Sequence, residues 1–269
     1  MHQIFKDHLE YHNQNGLEYM QFKKLLQYPE IVHCYTLRGK ANTLNFPSAN
    51  RDEKTLKQSY AKICKQLHLD PNKVIKPYQT HTDKVEIVNE VKKLEQIDGL
   101  LTQQEGLVLL TTSADCTSLL FYDPENKAIG SVHSGWRGTL QAISKKTVEK
   151  MVKEFGSRPQ DIICCICPCI KQCCFEVDQE VRDLFYEQYQ NMKDIEKIIV
   201  RGQAKDGRQK YFIDTTKINQ ELLLQAGLKI ENIIDSGICT MCHPEYFHSY
   251  RAEKENSGRN AALMSLICH

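Results

Sequence analysis

The sequence lacks the features that would assign it to several broad classes of protein. No apolar run approaches the roughly 20 residues that a membrane-spanning helix needs, and no secretory signal is visible in the N-terminal stretch MHQIFKDHLEYHNQNG. There is no surplus of either charge, because 35 Lys and Arg face 34 Asp and Glu and leave a formal charge of +1. Binding to nucleic acid phosphates requires clustered excess cations. We therefore expect a cytoplasmic protein that binds neither membranes nor nucleic acids.

The chain also lacks internal repeats and any linker rich in proline, glycine or serine, so we expect one continuous domain over residues 1–269. Hydrophobic residues make up 41% of the sequence, which is enough for a buried core and too many for a disordered chain.

Apolar periodicity predicts helices and strands that alternate irregularly along the chain. The spacing of apolar residues predicts helices over 53–69, over about 139–155, after Glu176, and over 214–227. The β-like runs between them are Ile31–Leu37, Val85–Val88, Leu107–Thr111, Ser118–Tyr122, Ala128–His133, Ile162–Cys167, Tyr211–Ile213 and Ile233–Ile238. Several of these strands follow one another directly. The fold class predicted is therefore α+β, with mixed sheets layered with helices.

Twelve cysteines are present without a visible export signal or an N-x-[ST] glycosylation site, so we expect free thiols rather than disulfides. Six of them lie in the segment CCICPCIKQCC at 164–174. Cys165, Cys167 and Cys169 alternate as on one face of a buried strand. We predict that these cysteines are reduced, mostly buried and not part of a metal cluster.

A second cysteine motif, CTMCH at 239–243, matches the pattern of covalent haem attachment. Haem attachment normally follows export, which disfavours that interpretation here. A zinc site at Cys239 and Cys242 would need two further ligands, because structural zinc takes four.

The segment with the most chemical information is LVLLTTSADCTSLLFYDPENKAIGSVHSGWRG at 107–138. Cys116 lies in a polar break between two apolar runs, and His133 ends the following run before a glycine-rich turn. That turn leads into a helix N-terminus, where free N–H groups and Arg137 favour an anion. His81 lies in PYQTHTDKV, before another β-like run. Each residue alone could be structural, but together two imidazoles, a thiolate and a water complete an open zinc site of catalytic type.

These residues lie in motifs that resemble the polyphenol-oxidase laccase-domain (YfiH-like) family. The resemblance is carried by QTH at 79–81, DGLLT at 98–102, SADC at 113–116, HSGWRGT at 133–139, CPCIKQCCFEV at 167–177, DTTKIN at 214–219 and CTMCHPEYFHSYR with SGR between 239 and 259. It implies the YfiH-like fold and a zinc-dependent purine nucleoside phosphorylase with adenosine deaminase activity. The metal ligands that it implies are His81, Cys116 and His133. Purine nucleosides such as adenosine, inosine and methylthioadenosine, with phosphate, are the implied partners.

Four arginines are candidates for binding the substrate or phosphate. Arg38, Arg137 and Arg251 are the residues predicted to do so, with Arg259 as a further candidate. Glu176 could support the site as an acid, a base or a helix N-terminal charge.

Three other functions remain open at this stage. Cys116 could be the nucleophile of a metal-free cysteine hydrolase, with His133 or His81 as its base. Family members are also known as peptidoglycan editing factors, which would act on cell-wall precursors. A copper phenol oxidase is disfavoured because the ten histidines include no His-x-His pair, so Cu²⁺ is a less favoured cofactor than Zn²⁺. The sequence leaves the oligomeric state open.

Overall fold

The structure is a computed structural model that describes residues 4–14, 16–38, 44–47, 49–203 and 207–267. Its strands are β1 (Leu9–Gln14), β2 (Leu17–Phe22), β3 (Ile31–Thr36), β4 (Val74–Ile75), β5 (Val85–Ile87), β6 (Gly99–Thr102), β7 (Val108–Ser113), β8 (Thr117–Asp123), β9 (Ala128–Ser134), β10 (Ile163–Ile166), β11 (Glu176–Val177), β12 (Ile199–Gln203), β13 (Gln209–Ile213), β14 (Ile233–Asp235) and β15 (Asn260–Leu266). Its α-helices are α1 (Ala49–Gln66), α2 (Trp136–Leu140), α3 (Ile143–Phe155), α4 (Gln179–Tyr189), α5 (Ile195–Ile198), α6 (Thr215–Gln225) and α7 (Tyr250–Glu253). None of the helices in the described ranges is long and apolar enough to cross a membrane.

The strands form two six-stranded mixed sheets and one small antiparallel sheet. The first sheet has the order β1-β2-β3-β15-β7-β4, and the second has the order β14-β10-β8-β9-β6-β5. Each large sheet is antiparallel except for parallel pairs at its edges. The third sheet has the order β11-β13-β12. The predicted α+β class with mixed sheets is confirmed.

The two large sheets pack face to face, with helices on their outer surfaces. The alternation of side chains along β8 shows this layering. Leu120 and Tyr122 join the core shared with the first sheet, whereas Leu119 and Phe121 join the core beneath α3 and α6. The outer face of the first sheet is covered by α1 in the same way. Because both faces are covered, all residues of β8 are buried.

The chain crosses from the first sheet to the second at two places that matter for the site. The connection from β4 to β5 contains His81, and the connection from β7 to β8 contains Cys116. His133 lies near the end of β9, in the second sheet. The layered packing therefore brings the three predicted ligands to one edge of the sandwich.

All eight predicted strands are present, but the boundaries of two helices differ from the prediction. The helix expected over about 139–155 is two helices, because Ala142 has a left-handed backbone (φ 59°) between α2 and α3. Regular helical backbone in α1 begins after Asp52, as predicted, but ends at Gln66, and His68 is left-handed. The other seven strands of the described residues were not predicted.

The prediction that the cysteines of 164–174 are mostly buried is confirmed, because four of the six are buried. The strand β10 and the residues that follow it bury Cys164, Cys165, Cys167 and Cys169 completely. Cys173 and Cys174 are not buried, because they lie in a turn at the surface, where Cys174 N donates to Lys171 O at 2.9 Å.

Truncation of Leu263 should test whether β15, which the sequence did not reveal, is central to the core. Leu263 is fully buried between β3 and β7 and packs on the face covered by α1. We expect Leu263→Ala to lower the free energy of unfolding by about 2–5 kcal/mol, measured by urea denaturation. Ile230→Ala is the control, since this side chain is 63% exposed and should change stability by less than about 0.5 kcal/mol. Equal effects of the two substitutions would contradict this placement of β15.

Candidate metal centre

Three side chains from different parts of the sandwich converge at its edge. The ligand atoms of His81, Cys116 and His133 all lie within 4.8 Å of one another. Cys116 Sγ is 3.7 Å from His81 Nε2. In a tetrahedral zinc site with ordinary bond lengths, a sulfur and a nitrogen ligand lie about 3.6 Å apart. The spacing therefore fits a metal ion held by all three residues, with a fourth position left for water or substrate.

The carboxylate of Asp98 organises both histidines. It is fully buried and accepts hydrogen bonds from His133 Nδ1 at 2.8 Å and from the backbone N–H of His81 at 3.1 Å. Thr82 donates to it through its backbone N–H and its hydroxyl, both at 2.7 Å. Because an ionised carboxylate only accepts, Nδ1 of His133 carries the proton and Nε2 is left to bind a metal. Carboxylate partners of this kind are usual for histidines that bind metals.

Gly135 allows the three side chains to meet. A Cβ atom at this position would lie 2.5 Å from His81 Cδ2, 3.3 Å from His133 Cε1 and 3.4 Å from Cys116 Sγ. Its backbone angles are ordinary (φ −64°), so the requirement for glycine comes from the close approach of the chain to the site.

Two residues of the site have left-handed backbone conformations that non-glycine residues seldom adopt. These residues are His81 (φ 64°) and Asp115 (φ 85°). The carboxylate of Asp115 compensates by accepting hydrogen bonds from Thr240 Oγ1 at 2.7 Å, Ser249 Oγ at 3.0 Å and the backbone N–H of Arg251 at 2.6 Å. Strained backbone often accompanies functional sites, and here it connects Cys116 to the C-terminal segment.

The charges of the triad are strongly coupled. Burial alone would raise the pKa of the Cys116 thiol, but the charge and hydrogen bonds of His133, together with His81, lower this pKa to about 6. Burial also opposes a charged His133, yet the Cys116 thiolate and Asp98 raise the pKa of His133 to about 9. Without a metal, these shifts favour a Cys116 thiolate beside a charged His133, and a metal ion would take the place of the proton on His133 Nε2. A thiolate at Cys116 can either bind a metal or act as a nucleophile.

Two cavities meet at the triad, and they differ in character. The first encloses about 410 Å³ and has aromatic walls from Trp136 and Phe175. Its volume falls within the roughly 300–1,000 Å³ typical of small-molecule sites. His81 and Cys116 line this cavity and also the second one.

The second cavity encloses about 620 Å³, and its lining includes two cationic side chains, Lys76 and Arg259, and two acidic ones, Asp52 and Glu255. Burial and the charge of Arg259 lower the pKa of Lys76 to about 8. An anion bound beside both Lys76 and Arg259 would relieve the repulsion between them.

The arginines predicted to bind substrate or phosphate occupy different positions. Arg251 lines the first cavity, where its Nη1 donates to Glu176 O at 3.1 Å. Glu176 lines that cavity too. Arg38 donates to Glu253 Oε1 at 2.6 Å, and Arg137 lies over the ring of Trp136 at 4.1 Å. Neither Arg38 nor Arg137 is among the residues that line the two cavities.

Sequence reasoning did not assign roles to Asp98, Asp115 or Lys76. Asp98 begins DGLLT and Asp115 precedes Cys116 in SADC, so both lie in motifs that the resemblance had already marked. For Asp115, the available signal was its position next to the predicted ligand Cys116. Lys76 carried none, because its proximity to Arg259 depends on the pairing of β4 and β15 with β7.

Comparisons with known proteins identify relatives over most of the chain. A family model described as multi-copper polyphenol oxidoreductase laccase matches residues 36–267. A relative from Bacteroides thetaiotaomicron named purine nucleoside phosphorylase is 29% identical over 265 residues, covering 92% of this chain and 95% of the relative. A relative from an unknown prokaryotic organism named adenosine deaminase RL5 is 33% identical over 207 residues, covering 73% and 76% of the two chains. The crystal structure of the hypothetical protein YfiH from Bacillus licheniformis superimposes with a TM-score of 0.83 at 26% identity, covering 95% and 98%.

The role of Asp98 can be tested with a nearly isosteric substitution. Asp98→Asn should weaken zinc binding by about 10–100-fold, because the partner that fixes the His133 tautomer is lost. The measurement is competitive titration of the chelated protein with zinc. Asp123→Asn is a matched control, since Asp123 is equally buried but accepts hydrogen bonds from the turn residues Glu125 and Asn126. Unchanged zinc affinity in folded Asp98→Asn protein would contradict this role.

Proposed function

We infer the function from two facts taken together. The chain belongs to the multi-copper polyphenol oxidoreductase laccase family, and its triad lies where a cavity with aromatic walls meets a second cavity that is lined in part by Lys76 and Arg259. The convergence of His81, Cys116 and His133 at this junction is the observation that carries the proposal.

The donor set favours zinc as the bound metal. Two imidazoles and one thiolate are a common ligand set for catalytic zinc, which keeps a fourth position open. Zinc at this position supplies a Lewis acid that lowers the pKa of a bound water to about 7. Copper also binds imidazole and thiolate, so it is the alternative metal. The paired His-x-His ligands of multicopper oxidases are absent from the sequence.

The first cavity suits the base of a purine nucleoside. The aromatic side chains Trp136 and Phe175 offer faces on which a flat heterocycle can stack. Arg251 and Glu176 provide polar groups at the same cavity, as needed to orient a base through its edge.

The second cavity suits phosphate. Lys76 and Arg259 line this cavity together with His81, Cys116 and His133, so they are placed to hold the anion beside the triad. In phosphorolysis, an oxygen of phosphate forms a bond to C1′ of the ribose while the bond from C1′ to the base breaks, and the base leaves with a proton. In deamination, water replaces the amino group of adenine, so phosphate is not consumed.

We therefore propose a zinc-dependent purine nucleoside phosphorylase that also deaminates adenosine, with adenosine, inosine and methylthioadenosine as substrates. The names of the two relatives support both activities. We further propose that residues 1–269 form one catalytic domain, because β1 and β2 extend the same sheet as β3. The eleven described cysteines are all free thiols, which supports a cytoplasmic location.

A metal-free cysteine hydrolase is the second candidate, because the low pKa of Cys116 also suits a nucleophile. Chelation separates the two candidates. We expect a chelator to abolish turnover of adenosine, with and without phosphate, and added zinc to restore it, with products identified by mass. Cys116→Ala should be inactive under either mechanism. Cys116→Asp should keep weak zinc binding, since a carboxylate can also bind zinc.

One combination of results would contradict the zinc mechanism. Full activity in the chelated protein, with alkylation of Cys116 that substrate prevents, would overturn the zinc mechanism in favour of the hydrolase.

The proposed phosphate site is tested by Lys76→Met. We expect this substitution to raise the KM for phosphate in phosphorolysis by at least about tenfold, the value of one lost charge-assisted hydrogen bond. Deamination of adenosine should change far less, because that reaction consumes water. Lys73→Met is the control, since Lys73 is exposed on the preceding turn and lines neither cavity. Equal losses of both activities in Lys76→Met would count against phosphate binding at this residue.

A further inference from the structure

A second group of metal-binding side chains lies outside the triad. It consists of Cys173, Cys174, Cys239 and Cys242, which we call the thiol cluster. Two of its members follow β10 in one loop, and the other two follow β14 in another. The CxxC motif at 239–242 thus meets the two further ligands that the sequence alone did not supply.

The spacing of the sulfur atoms fits four ligands around one ion. The Sγ–Sγ distances are 3.6 Å between Cys173 and Cys174, 3.8 Å between Cys173 and Cys242, and 3.4 Å between Cys174 and Cys242. The ligand atoms of all four residues lie within 4.8 Å of one another. Sulfur atoms bound to zinc at about 2.3 Å in a tetrahedron lie about 3.8 Å apart. Disulfide-bonded sulfurs would be about 2.05 Å apart.

Backbone N–H groups support negative charge on one member of the cluster, Cys239. The N–H of Lys171 donates to Cys239 Sγ at 3.5 Å, and the N–H of Cys242 donates to the same sulfur. Hydrogen bonds from backbone N–H groups to ligating sulfurs are typical of thiolate metal sites.

The two loops are held together independently of any metal, so the ligands are already in place. Cys169 N donates to Ile238 O at 3.3 Å, and Thr240 N donates to Cys169 O at 3.1 Å. These bonds bring the turn that carries Cys173 and Cys174 against the CxxC turn. A preformed arrangement of four thiols requires little reorganisation when a metal binds.

We propose that the thiol cluster binds one zinc ion through four thiolates, as a closed site distinct from the triad. This proposal departs from the prediction made from the sequence, which placed neither Cys173 nor Cys174 in a metal cluster. Binding releases the thiol protons to solvent and changes no oxidation state. Four protein ligands leave no position for substrate, so the site is structural. It links the loop that leads to Phe175 and Glu176 with the segment that leads to Arg251, and all three residues line the first cavity.

The test counts bound metal in variants that each remove one site. We expect about two zinc ions per wild-type chain by elemental analysis and about one in Cys242→Ser or in Cys116→Ala, given four-coordinate binding at each site. Cys242 is exposed, so its substitution should leave the fold intact. A drop in melting temperature in Cys242→Ser would then report loss of the metal. Cys64→Ala, which removes a buried thiol from the core under α1, should keep about two zinc ions.

Cobalt provides a readout that does not depend on activity. In a Cys116→Ala background, a cobalt-loaded chain should retain strong sulfur-to-cobalt charge-transfer absorption from the thiol cluster, and Cys242→Ser in that background should reduce it. Zinc content unchanged by Cys242→Ser, or a disulfide that links Cys242 to Cys173 or Cys174 in protein purified under reducing conditions, would overturn the proposal. Neither result would affect the proposal for the triad, which Cys116→Ala tests separately.

Discussion

The candidate metal centre depends on one buried carboxylate, that of Asp98. A buried charge is costly unless hydrogen bonds replace its hydration, and here Thr80, His81, Thr82 and His133 all donate to it. The His133 bond and those from the Thr82 backbone and hydroxyl also lower the pKa of Asp98 to about 2, although burial acts in the opposite direction. The fold must stabilise the buried negative charge of Asp98, and this same charge orients His81 and His133.

Asp115 fixes the part of the site that contains Cys116, as Asp98 fixes the two histidines. It directly precedes Cys116, and its side chain binds Thr240, Ser249 and Arg251. The C-terminal segment is thereby drawn towards the connection between β7 and β8. Two carboxylates, each beside a proposed ligand, thus hold together segments that are distant in the sequence. This arrangement explains how the site can be precise although two of its three proposed ligands, His81 and Cys116, lie on loops rather than within strands.

The sequence was most informative where the signal was local. Short β-like runs located eight strands, because strands such as β8 are buried on both faces and so form nearly continuous apolar runs. The choice of His81, Cys116 and His133 rested on ligand chemistry and on the family resemblance, and the structure brings these residues together. What the sequence could not give depends on pairing across the fold. Examples are the position of β15 between β3 and β7, and the approach of the loop after β10 to the CxxC turn.

The number of protein ligands separates the roles of the two proposed metal sites. The triad offers three ligands beside two cavities, whereas the thiol cluster offers four and touches neither cavity through its sulfur-bearing residues. Even so, the two are connected, because the loops that the thiol cluster joins also carry Phe175 and Arg251, whose guanidinium lies 5.7 Å from the Phe175 ring. Phe175 and Arg251 belong to the cavity wall against which a nucleoside base would stack. Their positions therefore depend on how firmly the thiol cluster holds its two loops together. In this arrangement the thiol cluster, which has no open position, would fix the cavity wall. The triad would keep its fourth position free for the reaction.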